Sequence, residues 1–170
     1  MILTKKVILE EIKNKNIKIS PFNPKSIGAA SVDLTLGDTI RVFKKVDNIP
    51  ITETVDYKKY TRRVSIKKGY VLEPGELIIG ITKEKIQLPD DICGWLQSRS
   101  RFARLGLIVH MTAPFMQPGI NNHQALEIYN AGPHDLKLKP GTKVCQFIFE
   151  RCEGHAKYRG KFGGQSPKTF

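Results

Sequence analysis

Cysteine is scarce in this sequence. Only Cys93, Cys145 and Cys152 occur, at long spacings. An odd count with no C-x-x-C pair argues against both a disulfide framework and a structural zinc site. The three read as free thiols, buried or half-buried. No apolar run approaches the roughly 18 residues of a transmembrane helix, so no membrane partner is expected. The opening MILTKKVILEEIKNK is charged throughout and does not read as a signal peptide, which makes the cytoplasm the expected address. Carboxylates are also few: 16 Asp and Glu stand against 28 Lys and Arg, a net charge of +12. That balance suits an anionic partner, whether nucleic acid or a small polyphosphate, or else a lysine-rich solvated surface.

Several motifs are missing. There is no GxxxxGK[ST], no GxGxxG opening a helix and no G-x-S-x-G. The H-x-E and P-C-x-x-C pair of zinc nucleobase deaminases is absent. Basic-aromatic signatures that read RNA are absent too, so nucleic acid is not the expected partner. The four histidines, His110, His123, His134 and His155, are dispersed.

What is present is one domain's worth of chain: 170 residues, 40% hydrophobic and 26% charged. A helix is expected near the start, capped by Thr4, with Val7, Ile8, Ile12 and Ile17 at roughly helical spacing. In SVDLTLG, residues Val32, Leu34 and Leu36 alternate with polar ones, a half-buried strand closed by Gly37. Residues 40–43 resume as strand, and 44–68 read as a polar surface excursion. Pro74-Gly75 turns between two strand-like runs. SRSRFARLG reads as a short helix with Ser98 or Ser100 as cap and Gly106 as stop. Short apolar runs with Gly or Pro between them then continue to residue 150. The pattern is mainly β, a distorted barrel or jelly-roll-like domain over 1–153 with a few short helices. From Gly154 the chain is rich in Gly, Lys and Arg and reads as a flexible tail over 154–170.

Three places could carry chemistry. Arg99, Ser100, Arg101 and Arg104 at a helix start suit phosphate, through bidentate guanidinium bonds, hydroxyls and helix N–H groups; a basic exposed turn is the plainer reading. Glu127 alternates with Leu126 and Ile128 in an apolar strand. Poor solvation there would raise its pKa and make it a general acid/base; an outward-facing glutamate on a wet sheet face is the alternative. The tail YRGKFGGQ could fold over a ligand or simply be solvated.

The stretch GWLQSRSRFARLGLIVHMTAPFMQPG followed by ALEIYNAG resembles the dCTP deaminase family of the dUTPase superfamily. The matching places are Arg99-Ser100-Arg101, Arg104, Gly106, Thr112-Ala113, Gln117-Pro118-Gly119 and Leu126-Glu127. SVDLTLG is similar to the family's N-terminal strand, and Tyr158 to Gln165 to its C-terminal lid. The resemblance implies a homotrimeric dUTPase-type barrel with sites between subunits. It implies zinc-independent hydrolysis of dCTP, with Mg²⁺ accompanying the nucleotide. Glu127 would be the general acid/base, and the Ala113 backbone would help place the water. Ser100 and Arg104 would line the base and phosphate site, with Arg99 and Arg101 in the phosphate turn. Gln117, Ala125, Leu126 and Gln146 would complete the nucleotide pocket. Tyr158, Lys161 and Gln165 would close over the triphosphate.

The chain departs from the family pattern at the sugar. Gln117 stands where Asp is usual, and Ile120 where an aromatic residue is usual. Asn121-Asn122 replaces the small glycine that follows, and Arg101 replaces a serine. ThrAlaProPhe at 112–115, together with Gln146, is closer to the dUMP-forming branch than to the dUTP-forming one. A dUTP diphosphatase, or a non-catalytic nucleotide-binding relative, is the alternative reading.

Overall fold

A computed structural model describes residues 1–170. The elements run in order α1 Lys5–Lys13, β1 Lys18–Ser20, β2 Val32–Phe43, β3 Thr61–Ser65, β4 Tyr70–Leu72, β5 Leu77–Gln87, β6 Ile92–Ser98, α2 Ser100–Ala103, β7 Leu107–Val109, β8 Phe115–Met116, β9 Asn121–Asn130, β10 Leu136–Leu138 and β11 Lys143–Arg151. The mainly β architecture expected from the sequence is what forms: a curled, half-barrel sheet of nine strands. Its order is β7-β9-β5-β2-β11-β6-β8, with β1 on β5 and β3 on β2, and every pairing is antiparallel. Strands β10 and β4 make a separate pair. No helix is long and apolar enough to cross a membrane.

Alternation in the sequence sets the inward face. Val32, Leu34 and Leu36 of β2, Leu126 and Ile128 of β9, and Phe147 and Phe149 of β11 meet in one core. The two phenylalanine rings lie 4.6 Å apart. Gly94 on β6 makes room for them, because a Cβ there would sit 1.9 Å from the Phe147 ring. A Gly94→Ala change would therefore overpack the core.

Five local expectations change. Thr4 precedes α1 without a side-chain cap bond. Ile17 belongs to the loop before β1 and is buried there rather than on the helix. Gly37 does not end its strand: β2 continues to Phe43, and its register against β5 shifts between Leu36 and Ile40. The short helix α2 is capped by neither serine; Ser98 ends β6, Ser100 is already helical, and Arg99 is the N-cap residue. The expected surface excursion also contains a paired strand, β3.

The tail returns over the sheet. Tyr158 donates its N–H to the Pro118 carbonyl at 3.0 Å. His123 N–H donates to the Gln165 carbonyl, and the Gln165 side-chain amide donates back to the His123 carbonyl, both at 3.0 Å. Phe170 is 1% exposed, so the tail supplies one buried side chain that its composition gave no reason to expect. An isolated aromatic in a Gly- and Lys-rich run has no periodicity to reveal it. Arg41 binds the Phe170 carbonyl at 3.0 Å, and Arg63 binds that of Pro167 at 2.8 Å.

Candidate active site

Glu127 sits in the middle of β9, between Leu126 and Ile128, whose side chains enter the core on the opposite face. Its carboxylate is held by the loop that follows β7. Oε2 accepts the N–H groups of Met111 at 2.9 Å and Thr112 at 2.7 Å, and Oε1 accepts the Thr112 hydroxyl at 2.8 Å. A carboxylate offers about four acceptor positions, so one on Oε1 stays open for a ligand or water.

These bonds reverse the expected pKa. Desolvation is the largest single influence and pushes Glu127 up. The backbone and hydroxyl bonds from Thr112, the backbone bond from Met111 and the nearby His110 outweigh it, and the pKa falls below the ordinary carboxylate value. Sequence alone shows an apolar strand around Glu127 but not the donors that loop back to it. The carboxylate is therefore a base poised in its ionised form at neutral pH.

His110 shapes the loop. Its φ is +73°, a left-handed conformation costly for a residue with a Cβ. Its N–H donates to the Glu127 carbonyl at 2.6 Å. The ring contacts the Ala113 carbonyl through Nε2 at 2.7 Å, and Nδ1 faces the Glu127 N–H at 3.4 Å. A carbonyl only accepts and an N–H only donates, so the proton sits on Nε2. This ring fixes the Ala113 backbone beside the carboxylate.

A cavity of about 400 Å³ opens in front of Glu127. Ala113, Gln117, Ala125, Glu127, Tyr158 and Gln165 line it, as six of the expected site residues. Gln117 stands exposed at its edge. The other expected residues lie elsewhere. Leu126 is enclosed in the core. Lys161 is exposed and outside the lining. Arg99, Ser100 and Gln146 open on a second cleft, beside Ser31 and Asp33. Arg101 and Arg104 are exposed on and just after α2.

In that second cleft Arg99 pairs with Asp33 at 3.2 Å and donates to the Lys143 carbonyl at 2.8 Å. Gln146 accepts the Ser31 hydroxyl at 2.8 Å. The helix there is a single turn of four residues, too short for the aligned N–H groups and dipole that the sequence suggested. What remains there of the expected anion-binding groups is Arg99 and the Ser31 and Ser100 hydroxyls. No Lys or Arg lines the Glu127 cavity.

Sequence reasoning missed His110, Tyr57, Gln124 and Phe162, all of which line the cavity. His110 was one of four scattered histidines, and Tyr57 lay in a polar excursion. The only available signal was the His-x-Thr-Ala run beside Glu127's loop.

A family model described as dCTP deaminase-like matches residues 2–152. A curated relative from Nocardioides sp., "dCTP deaminase, dUMP-forming", is 35% identical over 178 residues, covering 99% of this chain and 93% of its own length. Among solved structures, the 2'-deoxycytidine 5'-triphosphate deaminase from Agrobacterium tumefaciens matches 89% of this chain at 24% identity and a TM-score of 0.70. This chain spans 48% of that longer one. A dUTPase from phage phi11 of S. aureus matches 85% of this chain and 96% of its own at 12% identity, with a TM-score of 0.53. The two solved structures share the fold.

Proposed function

The chain belongs to the dCTP deaminase-like family, and from that premise we propose that it deaminates dCTP and carries the product on to dUMP. The observation that carries this reading is Glu127, an ionised carboxylate at a cavity wall with three protein donors and one acceptor position open. Glu127 takes a proton from water as its oxygen bonds to C4 of cytosine. The proton passes to ring N3, and a tetrahedral carbon forms. Glu127 then moves the remaining proton of the new C4 hydroxyl to the exocyclic nitrogen, C4 becomes a carbonyl as the C4–N4 bond breaks, and ammonia leaves with dUTP as the other product. His110 holds the Ala113 backbone against the site. A second water cleaves the phosphate chain, leaving dUMP and diphosphate. General acid/base catalysis of this kind contributes roughly 10²–10⁴-fold.

The nucleotide's triphosphate needs cations that the Glu127 cavity lacks. Arg99, Ser100 and Gln146 line a separate cleft, and Arg101 and Arg104 are exposed outside the cavity lining. A homotrimer in which a neighbouring copy brings this cluster to the cavity answers that need, and it fits the net charge of +12. Tyr158, Lys161 and Gln165 belong to a tail, 154–170, that opens for the nucleotide and closes over it. A soluble nucleotide substrate fits a cytoplasmic address.

Mg²⁺ enters on the nucleotide. Mg²⁺ is commonly held by phosphate oxygens and water with one or two carboxylates. Asp33 is the carboxylate of the arginine cleft. When bound, the ion neutralises phosphate charge. No step is assigned to zinc.

A dUTP diphosphatase without deamination is the second reading, favoured by the shared dUTPase fold. Incubating the protein with dCTP and with dUTP, in separate reactions with Mg²⁺ and a zinc-selective chelator, separates the two. The proposal expects dUMP from both. Product from dUTP alone establishes the diphosphatase instead.

A further inference from the structure

Four residues stand in one row across the sheet. Arg63 on β3 lies opposite Arg41 on β2, Arg41 opposite Ile79 on β5, and Ile79 opposite Glu127 on β9. Residues directly opposite one another in antiparallel strands share a face, so both arginines stand on the face that carries the Glu127 carboxylate. Arg41 is two strands from Glu127, about 10 Å at the usual strand spacing.

Arg41 is 6% exposed, and it forms no ion pair with a carboxylate. A buried charge without a counter-ion is costly unless other groups solvate it. Here oxygens and an aromatic face do so. Nε donates to the Thr61 hydroxyl at 2.7 Å. One terminal nitrogen donates to the Phe170 carbonyl at 3.0 Å, and the other to the carbonyls of Lys58 at 3.3 Å and Thr61 at 3.4 Å. The guanidinium carbon lies 5.5 Å from the centre of the Tyr57 ring, within cation–π range. The Thr61 hydroxyl donates on to the Tyr57 carbonyl at 2.9 Å. Arg41 therefore holds Tyr57 twice, at the ring directly and at the main chain through Thr61. The same guanidinium grips the Phe170 end of the tail, where Arg63 adds bonds to the Pro167 and Lys168 carbonyls.

Tyr57 is where this network meets the cavity, which it lines together with Ile79 and Glu127. Burial pushes its hydroxyl above the ordinary phenol value against the pull of Arg41, so Tyr57 presents a neutral ring. We propose that Arg41 is a positioning residue for nucleotide binding: it sets Tyr57 as a wall for the base, and it holds that setting only while the Phe170 end of the tail is docked. The inference rests on the dCTP reading of the cavity. A ring in the cavity whose carboxylate serves C4 offers a packing surface to the flat cytosine. Undocking Phe170 takes a carbonyl partner from Arg41 and opens its charge to water, which frees it to leave Tyr57. A nucleotide packed on Tyr57 then favours the docked tail, and the docked tail favours the nucleotide by the same factor.

The test is a double-mutant cycle read by binding, on a Glu127→Gln parent so that dCTP is not consumed. Calorimetric affinity for dCTP is measured on the parent, on Tyr57→Ala, on Arg41→Met and on the two combined, with Tyr57→Phe as the ring-keeping control. Losing an aromatic contact corresponds to roughly 2- to 10-fold. Each single change costs affinity in that range, the combination costs no more than the larger single, and Tyr57→Phe stays near the parent. Amide hydrogen exchange over residues 166–170 gives a second reading. dCTP slows exchange there in the parent, and the slowing shrinks in Tyr57→Ala, which keeps every bond from Arg41 to the tail. If Arg41→Met does not fold, Arg41→Lys takes its place, keeping the charge and losing the planar fork. Unchanged affinity in folded Tyr57→Ala overturns the proposal. So do losses that multiply in the combined variant, and dCTP-dependent slowing that is equal in the parent and Tyr57→Ala. Absence of dCTP binding by the parent overturns the proposal and the dCTP reading together. Ammonia release by the wild type tests the catalytic reading separately; if there is none, that reading fails while the affinity cycle still decides the role of Arg41.

Discussion

Glu127 and Thr112 are joined twice, by a main-chain N–H at 2.7 Å and a hydroxyl at 2.8 Å, each on a different carboxylate oxygen. This clamp keeps the base ionised and aims it. Its folded-state pKa is depressed. Any stability it contributes is therefore present above the unfolded value of about 4.3 and is lost as pH falls through the folded value. Activity should follow the same group, with an acid limb below the ordinary carboxylate range. Thr112→Val removes the hydroxyl bond but keeps the N–H bond. We expect the acid limb of its kcat profile to move to higher pH, with the fold intact by circular dichroism. An unmoved limb would detach the titration from Glu127.

Arg99 and Ser100 line one cleft of the chain and Glu127 lines another. Light scattering should give a particle near three times 19.2 kDa. Glu127→Gln and Arg104→Ala should each be inactive alone. Refolded together, they should regain activity at up to about a quarter of the sites, because mixed trimers rebuild intact ones. Absence of complementation, with mixed trimers demonstrated, would place each site within one chain.

The tail is anchored at its far end by the buried Phe170 and by bonds from Arg41 to Phe170 and from Arg63 to Pro167. Its local stability should be separable from that of the barrel. Phe170→Ala should expose residues 154–170 to protease at least several-fold faster while leaving the main melting transition nearly unmoved. Truncation after Glu153 should cost dCTP turnover heavily and trimer stability little. Unchanged kinetics would reduce the tail to a solvated basic extension.

The sequence made the barrel legible because alternation in β2, β9 and β11 survives directly as inward and outward faces. Glu127 was legible for the same reason, as a carboxylate out of phase with Leu126 and Ile128. Its pKa direction was not, since the donors come from Met111 and Thr112, 16 and 15 residues away in the chain. The polar excursion gave no sign of Tyr57 in the cavity. Gln124 was hidden because it is a polar residue at an inward position of β9, buried in phase with Leu126 and Ile128.

The most direct test of the account is ammonia release from dCTP, followed in parallel for the wild type and Glu127→Gln at neutral pH. The variant keeps the shape of the side chain and loses the base. The account predicts ammonia in step with deoxyuridine nucleotide for the wild type, and a loss of at least roughly 100-fold in the variant. Normal ammonia release by Glu127→Gln, or none by a folded wild-type trimer, would contradict it.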